Sequence, residues 1–163
     1  MQLCTRSAHE TEGVGARLAA LLTPGDVVVL TGDLGTGKTV LAKGIGRGLG
    51  VTEPVVSPTF TIVREYEGDL PLQHLDVYRL DHLQEAIDLG LDELLDADAV
   101  TVIEWGEAVG ALLPPDRLEV LFTVPPPEEA DDDTRVIELR PAGPSWEARR
   151  DELAAVAGAG NEA

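Results

Sequence analysis

Eight consecutive residues, Gly32-Asp33-Leu34-Gly35-Thr36-Gly37-Lys38-Thr39, carry the densest chemical signal in the chain. They satisfy the pattern of a glycine, four residues, then Gly-Lys-Ser/Thr that marks a phosphate-cradling loop. With this chain's composition, such a match arises by chance roughly one time in 500. Gly35 and Gly37 let the backbone curl so that successive N–H groups point into one concavity, and a helix starting there adds the positive end of its dipole. Lys38 is then expected to reach the β- and γ-phosphates of a nucleotide, and the Thr39 hydroxyl a Mg²⁺ ion. The expected nucleotide-binding set is Asp33, Leu34, Gly35, Thr36, Gly37, Lys38 and Thr39.

Turnover demands more than a cradle: a carboxylate at the metal and a group that orients water. In open α/β sheets such acids sit at the C-terminal ends of strands. Two qualify, Asp76 after His74-Leu75, and Glu104 at the end of Val100-Thr101-Val102-Ile103; which of them ligates the metal is open. Ser57-Pro58-Thr59-Phe60 lies between the loop's helix and the Asp76 strand, where segments sensing a γ-phosphate sit, and reads equally well as a turn entering a strand. His74 and His82 read as packed or surface histidines, with no metal cluster around them. Trp105 is either core or a reporter on the site. Neither lysine, Lys38 or Lys43, stands in an Asn-Lys-x-Asp sequence, so a guanine-specific loop of that kind is absent and adenine is the expected base.

Elements that could position these groups are legible around them. Ser7 and Glu10 have capping-box spacing, and Val14, Leu18, Leu21 and Leu22 share a face, which predicts a helix from about Ala8 to Leu22. Val27 to Thr31 is an apolar, mostly β-branched run suited to a strand buried on both faces. A helix over 39–49 follows, weakened by glycines at 44, 46 and 48, with Gly50 as its C-terminal cap. Thr59 to Tyr66 and Leu72 to Tyr78 read as an antiparallel strand pair around Glu67-Gly68-Asp69. Leu83 to Leu95 reads as one helix, Val100 to Ile103 as a buried strand, 117–124 and 134–140 as paired strands, and Trp146 to Val156 as a weakly amphipathic helix. The fold class expected is α/β, a P-loop NTPase-like sheet of mixed parallel and antiparallel strands flanked by helices. The expected division is an ATPase domain over 1–140 and a helical or flexible tail over 141–163.

Composition narrows the function classes. A chain of 163 residues, 44% hydrophobic and 26% charged, fits one globular domain. No apolar run approaches the roughly 18 residues of a membrane span, and the N-terminal sequence lacks a secretory signal. With the single Cys4, these features predict a cytoplasmic protein. The net charge of −18 is uneven: residues 1–50 carry five Lys or Arg against four Asp or Glu, and the remainder seven against 26. So acidic a surface repels phosphate backbones, which argues against direct binding of free nucleic acid or anionic membranes; it suits a basic protein partner, and equally reads as charge that simply keeps a small protein in solution.

Taken together, Gly-Asp-Leu-Gly-Thr-Gly-Lys-Thr at 32–39, Ser-Pro-Thr-Phe-Thr at 57–61, His-Leu-Asp-Val-Tyr-Arg-Leu at 74–80 and Ile-Glu-Trp at 103–105 resemble the TsaE family of bacterial tRNA threonylcarbamoyladenosine (t6A) biosynthesis. The resemblance covers about residues 7–140 and leaves out the segment after Pro141. It implies a Mg²⁺-dependent ATPase, slow alone, that supports threonylcarbamoyl transfer to adenosine 37 of tRNA by acting on TsaD-like and TsaB-like proteins. The tRNA itself would be met only indirectly. Carried over residue by residue, it implies Lys38 and Thr39 for phosphate and Mg²⁺, Asp76 and Glu104 as metal-site and water-orienting acids, and Thr59 and Thr61 in the switch with Ser57. Thr36 stands where Ala is common, and Gly106 where Pro often follows the Trp. A P-loop small-molecule kinase, with Arg64 or Arg79 over the phosphates, and a nucleotide-gated binding module without significant catalysis are the competing readings.

Overall fold

The computed structural model describes residues 1–58, 63–77, 83–88, 90–95, 98–105 and 110–160. In chain order the elements are β1 (Gln2–Thr5), α1 (Ala8–Ala19), β2 (Val27–Thr31), α2 (Lys38–Gly48), β3 (Val63–Tyr66), β4 (Leu72–Asp76), α3 (Leu83–Asp88), α4 (Leu91–Leu95), β5 (Val100–Glu104), β6 (Arg117–Thr123), β7 (Arg135–Ala142), α5 (Pro144–Glu147) and α6 (Arg150–Ala159). The strands form one seven-stranded sheet in the order β1-β7-β6-β2-β5-β4-β3. The centre is parallel, β2 pairing with both β5 and β6 and β5 with β4, while the β3–β4, β6–β7 and β1–β7 pairs are antiparallel. This is the mixed sheet flanked by helices that the sequence predicts.

The apolar run of β2 is explained by its central place: Val28 and Leu30 face a large core shared with Val14 and Leu18 of α1, Leu41 and Ile45 of α2 and Leu153 of α6. Val27 and Val29 face a smaller core with Leu75, Ile103, Leu91 and Leu95. Each such side chain taken out of water contributes about 1.5–3 kcal/mol. Two of the glycines that weaken α2 as an isolated helix are where α1 comes closest: a Cβ at Gly44 would collide with the Glu12 carbonyl and one at Gly48 with the Ala19 side chain, while one at Gly46 would meet Val55.

Several expectations shift. Helix α1 ends at Ala19, three residues early, and its cap is half a capping box: the Ser7 hydroxyl accepts from the Glu10 N–H at 3.1 Å, but the Glu10 carboxylate turns to the Arg6 N–H instead. The helix expected over 83–95 is two, α3 and α4, parted at Gly90, whose φ of +72° no α-helix admits. Of the strand expected over 59–66 only 63–66 is described, and the following one ends at Asp76. The edge strand β1 was not foreseen. Beyond 140, β7 continues to Ala142, and Trp146, Leu153 and Val156 are buried in the same core as β2, so residues 141–157 are built into the domain rather than hung from it. Among the described residues, no helix is long and apolar enough to cross a membrane.

Candidate functional site

The loop between β2 and α2 takes the form its glycines allow. Gly37, immediately before α2, has φ +104°, a conformation L side chains rarely adopt, and it lets the first turn of α2 begin directly at Lys38. Thr36 is turned inward: its hydroxyl donates to the Asp33 carbonyl at 2.8 Å and closes the loop. Leu34, at the loop's tip, is 84% exposed. The Lys38 ammonium donates to the carbonyls of Gly32 (2.6 Å) and Asp33 (2.9 Å) and lies 3.9 Å from the centre of the Trp105 ring.

Sheet register brings the two acids together. Strands β4 and β5 are parallel neighbours with Asp76 opposite Glu104, and β5 in turn sets Glu104 opposite Leu30, one residue before β2 gives way to the loop. Glu104 is only 3% exposed, and both its oxygens are engaged. The Thr39 hydroxyl donates to Oε1 at 2.8 Å, and Nε2 of His74 bonds Oε2 at 2.8 Å. Asp76 accepts a hydrogen bond from the Ser57 hydroxyl at 3.2 Å. Trp105, whose N–H donates to the Leu30 carbonyl, has φ +63°, a left-handed conformation that costs a non-glycine residue about 1–2 kcal/mol. That turn at the strand's end lays the indole over Lys38.

Leu34, Gly35, Gly37, Lys38, Thr39, Val40, Ser57, Asp76, Glu104 and Trp105 line one cleft of about 240 Å³. Of the residues singled out from sequence, the structure therefore gathers the loop, both acids, Ser57 and Trp105. Asp33 and Thr36 do not line this cleft, and Thr59 and Thr61 fall outside the described residues. His74, read as a packing residue, is the partner sequence reasoning missed; the i, i+2 spacing of His74-Leu75-Asp76 could have found it, because alternation puts His74 on the face of its strand that carries Asp76. Arg64 stacks toward Tyr66 at 6.0 Å and does not line the cleft, while Arg79 and His82 lie outside the described residues.

The donor set fits a hard divalent cation beside a phosphate. A threonine hydroxyl that gives its hydrogen to a carboxylate keeps its lone pairs for a metal, and Mg²⁺ is held through one or two carboxylates plus substrate oxygens rather than by a protein cage. No cluster of three His, Cys, Asp or Glu suited to a metal occurs among the described residues.

The sheet and the loop first define a class: a P-loop NTPase-like α/β protein. Within it, the chain belongs to the TsaE family, whose model, described as "Threonylcarbamoyl adenosine biosynthesis protein TsaE", matches residues 5–132. Among relatives, the tRNA threonylcarbamoyladenosine biosynthesis protein TsaE of Bacillus subtilis is 43% identical over 150 residues, covering 91% of this chain and 90% of that protein. The protein of the same name in Streptomyces coelicolor is 45% identical, covering 82% and 91%. A crystal structure of Bacillus subtilis YdiB superposes with a TM-score of 0.80 at 38% identity, covering 95% of this chain and 94% of that one. That superposition takes in part of the segment after Pro141 that the motif resemblance left out.

Proposed function

We propose that this chain binds Mg-ATP at the cleft between the phosphate loop and the paired acids, and hydrolyses it in support of tRNA t6A biosynthesis. The observation that carries the reading is the 2.8 Å bond from Thr39 to Glu104, which ties the loop to an acid at the end of the neighbouring strand. A loop matching the pattern by accident would have no reason to meet a buried carboxylate. The bound cation would be held by Thr39 and Glu104 and would neutralise charge on the phosphates. Lys38 exchanges its two carbonyl contacts for β- and γ-phosphate oxygens. Asp76, held by Ser57 in the wall of the cleft, orients the water that attacks the γ-phosphorus as the bond to the β-phosphate oxygen breaks, leaving ADP and phosphate.

Family membership supports the pathway. The finer reading is that hydrolysis is slow alone and is completed when TsaD-like and TsaB-like proteins dock against the acidic portion of the chain. The test is phosphate release by the chain alone, with that protein pair, with tRNA alone and with both, at low and moderate salt. Stimulation by the proteins, weakening with salt as exposed charges are screened over about 8–10 Å, is the expected result. Stimulation by tRNA without the proteins would overturn docking through proteins, and absence of nucleotide binding would overturn the whole reading.

A further inference from the structure

We propose that His74 is a positioning residue for Glu104: by donating from Nε2 to Oε2, it fixes the carboxylate so that Oε1 faces Thr39. The inference rests on the nucleotide-site reading above and assigns a task within it.

Glu104 and His74 are both in the interior, with side-chain exposures of 4% and 0%. A buried carboxylate is costly unless its oxygens find donors. Glu104 finds two, but they differ in kind. Thr39 stands on the phosphate loop's helix and has a second use for its oxygen, whereas His74 belongs to β4, locked in register beside β5 with His74 opposite Val102. The Glu104 side chain therefore reaches back along its strand to a fixed donor and outward to an exchangeable one. Without the first, the terminal torsion of a glutamate, which has no sharp minima, leaves the carboxylate unoriented.

The other ring nitrogen supports the same assignment. A carboxylate accepts, so the bond places a hydrogen on Nε2, and Nδ1 has no hydrogen-bond partner among the described residues. A histidine kept only to fill this volume, near Leu72 and Val102 on the same face, would be replaced at a gain by an apolar ring, because an imidazole loses hydration on burial and recovers only one bond. Its one bond is to Glu104, and there its value lies.

Two amides separate a positioning role from a packing one. The amide nitrogen of glutamine falls near the place of histidine Nε2, that of asparagine near Nδ1. The experiment compares H74Q, H74N and H74F by three readouts: nucleotide affinity by calorimetry with Mg²⁺ and with chelator, phosphate release with the partner proteins, and thermal midpoint. Loss of a group that orients a metal-site ligand weakens metal affinity or activity about 10- to 100-fold. H74N and H74F should lose the Mg²⁺-dependent part of the affinity and the turnover by that factor, with affinity in chelator changed by less than about threefold, and H74Q should recover most of both. If H74F fails to fold, the H74Q and H74N pair decides alone. Retention of the Mg²⁺-dependent gain by H74N, or an H74Q no better than H74N at equal thermal stability, would overturn the inference. A parent protein whose nucleotide affinity ignores Mg²⁺ would instead overturn the site reading, and this inference with it.

Discussion

The two ends of β2 each carry a cation laid over a tryptophan, and they are built for opposite purposes. Before the strand, the Arg149 guanidinium lies 3.8 Å from the centre of the Trp146 ring and grips Asp26 with both arms, at 2.6 and 2.9 Å. Its remaining N–H groups go to the Leu21 carbonyl, the Ser145 carbonyl and the Ser145 hydroxyl. All five donors of the fork are used, and the hydrogen-bonded Asp26 holds the arginine pKa above its usual value, outweighing the cost of partial burial. After the strand, Lys38 lies over Trp105 at 3.9 Å and rests on two backbone carbonyls. A rigid planar fork suits a permanent joint, which here clamps the start of α6 to the turn that feeds β2. A compact ammonium on a flexible stem suits a contact meant to be exchanged. If the proposed site is right, similar motifs separate into support and function by the geometry of the cation's partners rather than by the aromatic beneath it.

The largest test of this contrast is Lys38→Ala. If the lysine is kept for an incoming anion, calorimetry should show nucleotide affinity falling about 100-fold or more, since charge-assisted hydrogen bonds contribute about 1.5–3 kcal/mol each, with the thermal midpoint little changed. Unchanged affinity would remove the functional half of the comparison. Next in size, Asp26→Ala should do the reverse. It strands a mostly buried guanidinium, and because the pair keeps some solvent contact the cost falls just below the roughly 3–5 kcal/mol of a fully buried pair, at about 2–3 kcal/mol, or roughly 5–10 °C in the thermal midpoint. Nucleotide affinity should stay at the parental value, and a midpoint that does not move would make Arg149 ornamental. The smallest expected effect is optical. In Trp146→Phe, saturating Mg-ATP should alter Trp105 emission as Lys38 leaves the ring, whereas Trp105→Phe, keeping only the buried Trp146, should give no change. A silent Trp146→Phe variant would mean that the Lys38 contact persists in the bound state.

What could be read from sequence follows the reach of the physics involved. The phosphate loop is local, its glycines and lysine lying within eight residues, and pattern alone placed it between a strand and a helix. Glu104 and Asp76 were legible as acids tipping strands, but not as neighbours, because adjacency depends on which strands pair and in what register. His74 is packed, one of the two places its sequence allowed, but its bond to Glu104 was illegible for the same reason: the partner is on another strand. The edge strand β1 was invisible because four residues alternating exposed and buried are a weak signal and the partner β7 lies at the far end of the chain. The segment of Trp146 and Arg149 read as a helical or flexible tail because what anchors it, Asp26 for the Arg149 guanidinium and Asp116 for the Trp146 backbone N–H, is also distant in sequence.

The parallel pairing of β2 also sets an order of events during synthesis. Its neighbours are residues 100–104 and 117–123, so Val27-Val28-Val29-Leu30, apolar on both faces, leaves the ribosome long before either flank exists. Contacts this distant in sequence form slowly, and an unpaired apolar strand is the kind of segment that seeks other chains while it waits. The glycine-rich loop, fully synthesised by residue 39, is consequently among the last parts of the molecule to be braced. On the proposed reading, nucleotide that favours the finished fold would reward the nascent chain only at the end. Slowed translation between codons 40 and 100 would therefore prolong the exposed interval and raise the demand for chaperones without altering a single contact of the native state.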